Sequence, residues 1–321
     1  MSPNNVSNRS LKAAPQAARP AHWLVLLALV LLPAAAIAQT LGYAAGLRDL
    51  YRINLETGEL TRLGAYSQAP IVPPEIVDVE GLALAPDGQL YGVADGLDLL
   101  IRLNPGTGRS TRVGTLTVGA LGASGLDYGL TFTADGKLWM SSDTAKALWE
   151  VNPATGATRL VGNLGVQISG LAARGNEVFG IGVTDTVTGP GDQGLYRINV
   201  QTATATLIGS FSEPAPVVDA GLDFDTQGRL WAVLDFNPRP VKNFRPTELA
   251  QIDTNTGQIL SRRPLVLTND DLEGLAIAPP NLVPAGSPSF VAVPTMSFAG
   301  LMLLGLIALA LGMFAAHRLV R

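Results

Sequence analysis

Any chemistry done by this chain must come from carboxylates, hydroxyls and guanidinium groups. Its only histidines are His22 and His317, both in terminal apolar stretches, and it contains no cysteine. The 26 Asp and Glu side chains all lie between residues 39 and 297. A region without histidine or cysteine cannot run Ser-His-Asp hydrolysis, a cysteine nucleophile, histidine-ligated zinc or a histidine general base. Two carboxylate chemistries remain open: oxygen ligation of a hard cation such as Ca²⁺, and paired acid–base work on a glycan. No cofactor is required by the second. The candidate metal ligands are Asp78, Glu80, Asp127, Asp219, Asp271 and Glu273, within a wider acidic set that includes Asp95, Asp143, Asp185, Asp235 and Asp270. Asp95, Asp143, Asp185 and Asp235 each follow an apolar strand-like run, where Asp also serves as a plain acceptor for turn N–H groups. No dense Asp-x-Asp-x-Asp-Gly calcium loop is present, and no carboxylate pair stands out from the rest.

A second grouping is basic. Phe236, Arg239, Lys242, Phe244 and Arg245 form the one cationic loop of an acidic region. Such a loop suits an anionic group or a polysaccharide, and it equally suits a solvated, proline-bounded connection.

The elements that must position these side chains repeat. One unit recurs five times, starting at Leu50, Leu100, Leu148, Leu195 and Leu249, as in Leu50-Tyr-Arg-Ile-Asn-Leu-Glu-Thr-Gly58 and Leu148-Trp-Glu-Val-Asn-Pro-Ala-Thr-Gly156. The intervals are 50, 48, 47 and 54 residues, in the range of β-propeller blades. Each unit reads as an alternating strand, a tight Asn/Asp-to-Gly turn and a second strand. A preceding hairpin opens on Gly-Leu at Gly81, Gly129, Gly170 and Gly221 and carries an aromatic, Tyr91, Trp139, Phe179 or Trp231, on its second strand. Those aromatics recur in four of the five units and therefore read as packing between blades.

The first unit lacks a Gly-Leu opening strand, and the last repeat element is a lone Glu273-Gly-Leu-Ala-Ile-Ala-Pro279. Joined, they complete one blade. The expected fold is all-β, a five-bladed β-propeller closed by one C-terminal and three N-terminal strands, which removes the open edges. A sixth blade would need strands in 65–78 or 115–126, which lack the motif, and an open solenoid would not need complementary partial repeats at its ends. Alternating strand direction puts the tight Pro-Asp-Gly and Thr-Gly turns on one face and the long connections on the other, where a ligand would be met. The acidic set belongs to that second face, near the axis.

The ends have different chemistry. Arg9, Lys12 and Arg19 precede an apolar run from Trp23 to Leu32, and the small residues end in Ala36-Ile37-Ala38. That order predicts a signal peptide over 1–38, cut after Ala38 to leave Gln39 first. Residues 298–316 form an uncharged apolar run followed by Arg318 and Arg321, which predicts a transmembrane helix with its basic end inside. The domain plan is signal peptide 1–38, propeller 39–280, linker 281–292 and tail 293–321. The exported part carries 17 basic against 26 acidic residues, a balance of −9, which argues against nucleic acid as a partner.

The tail resembles the IPTL-CTERM sorting domain of Gram-negative bacteria. Val293-Pro294-Thr295-Met296-Ser297 stands where that family has Ile-Pro-Thr-Leu-Ser, and Gly300 follows, with Ala299 in place of the family's Trp. The resemblance implies processing by an exosortase-like membrane enzyme and passage from the inner membrane to the periplasm or outer surface. The Leu-Tyr-x-Ile-Asn-x-x-Thr-Gly repeats are similar to those of uncharacterised bacterial extracellular propellers, which implies the fold and no activity. The functional expectation is an exported, surface-displayed binding module for a polysaccharide or surface protein. The competing expectation is a carboxylate-dependent glycan-active enzyme.

Overall fold

A computed structural model describes residues 41–68, 70, 74–118, 125–184, 192–211, 216–236, 245–267 and 271–280. The expected signal peptide with Ala36, Ala38 and Gln39, the linker, and the tail from Val293 onward lie outside them. Among the described residues no helix is long and apolar enough to cross a membrane.

The described chain forms five four-stranded antiparallel sheets. The second blade is β4 (Val79–Leu84), β5 (Leu90–Ala94), β6 (Leu99–Leu103) and β7 (Ser110–Thr115). The third is β8 (Tyr128–Phe132), β9 (Leu138–Ser142), β10 (Ala147–Val151) and β11 (Thr158–Asn163). The fourth is β12 (Ile168–Arg174), β13 (Glu177–Gly182), β14 (Gly194–Asn199) and β15 (Thr204–Ser210). The fifth is β16 (Asp219–Phe224), β17 (Leu230–Asp235), β18 (Glu248–Ile252) and β19 (Ile259–Pro264). The first blade is composite. β1 (Leu41–Gly46), β2 (Asp49–Asn54) and β3 (Leu60–Ala65) pair with β20 (Leu272–Ala278) in the order β20-β1-β2-β3. Leu41 faces Ala278 and Ala45 faces Gly274, so the predicted one-plus-three closure is the observed one.

The repeat unit builds the outer hairpin of each blade by a local device. Asn54, Asn104, Asn152, Asn199 and Asp253 each accept a backbone N–H from two residues on, at 2.7–3.0 Å. This side-chain turn forms the bend, and Gly58, Gly108, Gly156 and Gly257 then take φ of +72° to +77°. Ala203 takes the same left-handed place in the fourth blade, at φ 52°.

The inner strands β4, β8, β12, β16 and β20 pack each against the next in a closed ring. They approach to backbone contact at the Gly of each Gly-Leu pair. A Cβ on Gly129 would lie 2.1 Å from the Ser169 carbonyl oxygen, and one on Gly274 would lie 2.3 Å from that of Glu80. Gly221, Gly170 and Gly81 are crowded too, with nearest atoms at 2.4, 2.5 and 2.8 Å. Five sheets converging on one axis leave room for no side chain there, so the Gly is required by proximity. Blade faces are filled by the predicted aromatics: Tyr91 meets Phe132 at 5.4 Å and Phe179 meets Phe224 at 5.3 Å between ring centres. The indole N–H groups of Trp139 and Trp231 are answered by Thr133 and Asp225.

Candidate functional site

The inner strands do not all begin alike. β4, β12 and β20 each carry one extra residue at their first turn: the pairing slips between Val79 and Leu82, between Ile168 and Gly170, and between Leu272 and Gly274. Such a bulge leaves a residue outside the ladder and re-aims its side chain. Glu80, Ser169 and Glu273 sit at these places, all buried. β8 and β16 run without a slip, and there the acid comes from Asp127, just before β8, and Asp219, the first residue of β16. Asp78 and Asp127 occupy left-handed backbone, at φ 56° and 46°. These residues follow the connections between blades, so they gather on the face that carries the long loops.

The result is an acidic mouth at one end of the axis. One ligand oxygen from each of Asp78, Glu80 and Glu273 lies within 4.8 Å of the others, and so do oxygens of Glu80, Asp95 and Asp127. Two oxygens bound to one Ca²⁺ at about 2.4 Å are at most about 4.8 Å apart, so each triad matches the bite of a single ion. Glu80 belongs to both. Below it, a void of about 10 Å³ is lined by the axial glycines and Glu273, room for about one water.

Electrostatics agree with the geometry. Burial, followed by repulsion from Asp127, Asp219, Asp95 and Glu273, raises the Glu80 carboxyl well above the usual carboxylate range. Asp219 is raised in the same way, first by burial and then by Glu273 and Asp127, against an opposing hydrogen bond from Ser169. Burial lifts Asp95 to about 6, partly offset by the Leu126 N–H it accepts at 3.0 Å. Tyr128 is also raised, by burial and by donating its hydroxyl to Asp98 at 2.7 Å. Among the described residues, none of Glu80, Asp95, Asp127 and Asp219 is ion-paired with Lys or Arg. Concentrated negative charge with no cation beside it binds protons or a metal ion.

The structure thus brings together four of the six candidate ligands, Asp78, Glu80, Asp127 and Glu273, through their oxygens, while Asp219 belongs to neither triad and acts on Glu80 through its charge. Asp271 is half-buried and belongs to neither triad. Asp95 joins the site while accepting the N–H of Leu126, 31 residues away in the connection before β8 and not in a local turn. The basic loop is only partly described. Arg239, Lys242 and Phe244 lie outside the described residues, while Arg245 stacks 3.5 Å over Phe236 and pairs with Glu248 at 3.1 Å. That guanidinium is engaged within its own blade. The bulges were missed by sequence reasoning, because one added residue among irregular connections leaves no periodic signal.

No family model matches this chain, and no curated protein matches it. Among solved structures it is similar to virginiamycin B lyase from Staphylococcus aureus, with 17% identity and a TM-score of 0.40. That match covers 70% of this chain and 64% of the lyase, so the chain spans just under two thirds of that protein. A protein of unknown function from Bacteroides caccae is similar at 10% identity and a TM-score of 0.45, over 75% of this chain and 99% of that one. A structural genomics protein of unknown function from Bacteroides thetaiotaomicron gives 14% identity and a TM-score of 0.43, over 60% and 53%.

Proposed function

We propose that this protein is an exported binding module, displayed at the envelope of a Gram-negative cell by its sorting tail and holding Ca²⁺ in the acidic mouth of its propeller. The observation that carries the binding reading is the pair of overlapping oxygen triads centred on Glu80. A hard cation there replaces the protons that burial and mutual repulsion otherwise favour on Glu80, and the two triads tie the composite, second and third blades together. Display rests on the residues of 1–38 and 293–321. The rigid ring then presents the long connections, with the ion among them, to a polysaccharide or surface protein.

The test is a thermal melt of the purified protein in EGTA and in millimolar Ca²⁺, with calorimetric titration of Ca²⁺. Binding to the native state alone raises stability by about 2.7 kcal/mol at a hundredfold excess over Kd. The midpoint should therefore rise by several degrees in wild type and stay still in Glu80→Gln. A wild-type midpoint that ignores both Ca²⁺ and EGTA would remove the metal from the proposal.

A further inference from the structure

Comparing the blades with one another singles out a second site, of opposite charge. On the outermost strand of the composite blade, Arg62 lies across from Tyr51 and forms a bidentate pair with Asp49 at 2.7 and 2.8 Å. The matching residue of the fifth blade, Arg262 across from Ala250, pairs with Glu248 at 3.5 Å. In both blades the carboxylate stands one residue before the leucine that starts the unit. In the second blade Arg112 lies across from Ile101, in the same place, but the carboxylate position holds Leu99. Arg112 reaches instead across the seam and donates to the Pro74 carbonyl at 2.6 Å. It forms no ion pair among the described residues, and Glu75, next to the carbonyl it meets, is paired with Arg48 at 2.9 Å.

Arg112 opens onto a cavity of about 120 Å³ between the composite and second blades, lined also by Tyr66, Ser67, Gln68, Arg109 and Ser110. The volume is several times what one water needs. The walls are held in place. Gln68 donates to the carbonyls of Ala65 at 3.0 Å and Thr107 at 2.7 Å, one in each blade. Its carbonyl oxygen accepts from Arg109 Nε at 3.3 Å, and Ser110 donates to the Tyr66 carbonyl at 2.9 Å. Two guanidinium groups and the Ser67 and Ser110 hydroxyls therefore line one cavity, beside the apolar Pro70 and Ile76, on a chain whose exported part is strongly acidic. Fixed guanidinium forks match tetrahedral oxyanions.

We propose that this inter-blade cavity binds a phosphate or sulfate group carried on a polysaccharide, with Arg112 and Arg109 as its charged contacts. It lies apart from the acidic mouth and does not depend on a metal there. The probes are inorganic phosphate, inorganic sulfate, dextran sulfate and uncharged dextran, titrated calorimetrically into the full-length protein, wild type and the exposed-site variants Arg112→Gln and Arg109→Gln. Thermal melts of the variants check that the ring is intact. The expected result is binding of dextran sulfate and not of dextran, weakened at least tenfold in each variant and by added salt. If the inorganic ions also bind, with the same loss in both variants, the free group is recognised. If only the polymer binds and both variants lose it, affinity comes from repeated weak contacts. Absence of any anion binding by wild type, or equal affinity in wild type and Arg112→Gln, overturns the proposal.

Discussion

Buried carboxylates in this ring fall into two kinds, and the difference is whether a partner comes with them. Asp225 is buried completely, yet it accepts from the Gln227 and Arg229 N–H groups at 2.9 Å, from Arg229 Nε at 2.6 Å and from the Trp231 indole at 3.0 Å. Asp225→Ala would leave the Trp231 indole and two backbone N–H groups without their acceptor and Arg229 with Glu56 alone, at 2.8 Å, and should lower unfolding free energy by about 3 kcal/mol in urea titrations. Asp223, two residues earlier and half-buried, accepts only the Phe224 and Ile277 N–H groups, at 2.8 and 2.6 Å. Burial lifts it to about 7. Ala83, Ala172 and Ala276 stand at its place in three other inner strands. Because Asp95 and Asp223 hold their protons to about pH 6 and 7 when folded but only to about 4 when unfolded, the folded state binds more protons between those limits. Their contribution is complete below about pH 4 and is lost as pH rises through 6 and 7, on the order of 3 kcal/mol for Asp95 and 4 kcal/mol for Asp223. In EGTA the thermal midpoint should therefore fall from pH 5 to pH 8, and Asp223→Ala should flatten the part of that slope near pH 7. An unchanged midpoint across that range would contradict the buried, uncompensated state. The sequence showed that acids gather at strand starts, but solvation and hydrogen bonding separate Asp223 from Asp225, and both read there simply as Asp.

At the scale of the strand, the Gly-Leu start of each blade was legible because it recurs, and its cause is contact between neighbouring backbones at the axis. Gly129→Ala puts a methyl 2.1 Å from a carbonyl oxygen and 2.6 Å from Ser141 Oγ. Neither β8 nor β12 can yield without moving its own neighbours in the ring, so the substitution should cost about 3 kcal/mol or more. Gly88→Ala is the contrasting variant. Its φ is +82° but no atom lies within 4 Å, so only the left-handed backbone opposes it, at about 1 kcal/mol. Urea midpoints for the two should differ clearly, and equal midpoints would mean that the inner strands can separate freely. The bulges of β4, β12 and β20 were not legible. A single extra residue among irregular connections changes no spacing that the repeats report, although it decides that Glu80 and Glu273, not their neighbours, enter the mouth. The role of Arg112 was equally hidden, since it appears only when the register shows which residue of the adjacent strand each arginine faces.

For the whole molecule the decisive feature is that one blade is shared between the two ends of the folded chain. The complementary partial repeats made this closure readable from sequence, whereas the contents of the mouth depended on three-dimensional convergence across four blades. Hydrogen bonds between β20 and β1 hold the ring shut along the register from Leu41–Ala278 to Ala45–Gly274, so the ring opens only if that ladder breaks or two blades part. A circular permutant isolates this contribution. Leu41 and Ala278 are antiparallel neighbours, so a short Gly-Asn turn can join them. New ends placed in the connection between β7 and β8 then leave every blade whole. The permutant keeps every residue pair of the native ring but closes it by the contacts between the second and third blades, β4 on β8 and Tyr91 on Phe132 among them, without a sheet spanning the ends. It should reach the same far-ultraviolet spectrum, since each blade forms its own hairpins. Its unfolding should be faster by tenfold or more, because its two ends can part without breaking any strand pairing, whereas the native ends part only when a whole ladder breaks. An unfolding rate equal to that of the native order would show that blade packing, and not the shared sheet, keeps the ring closed.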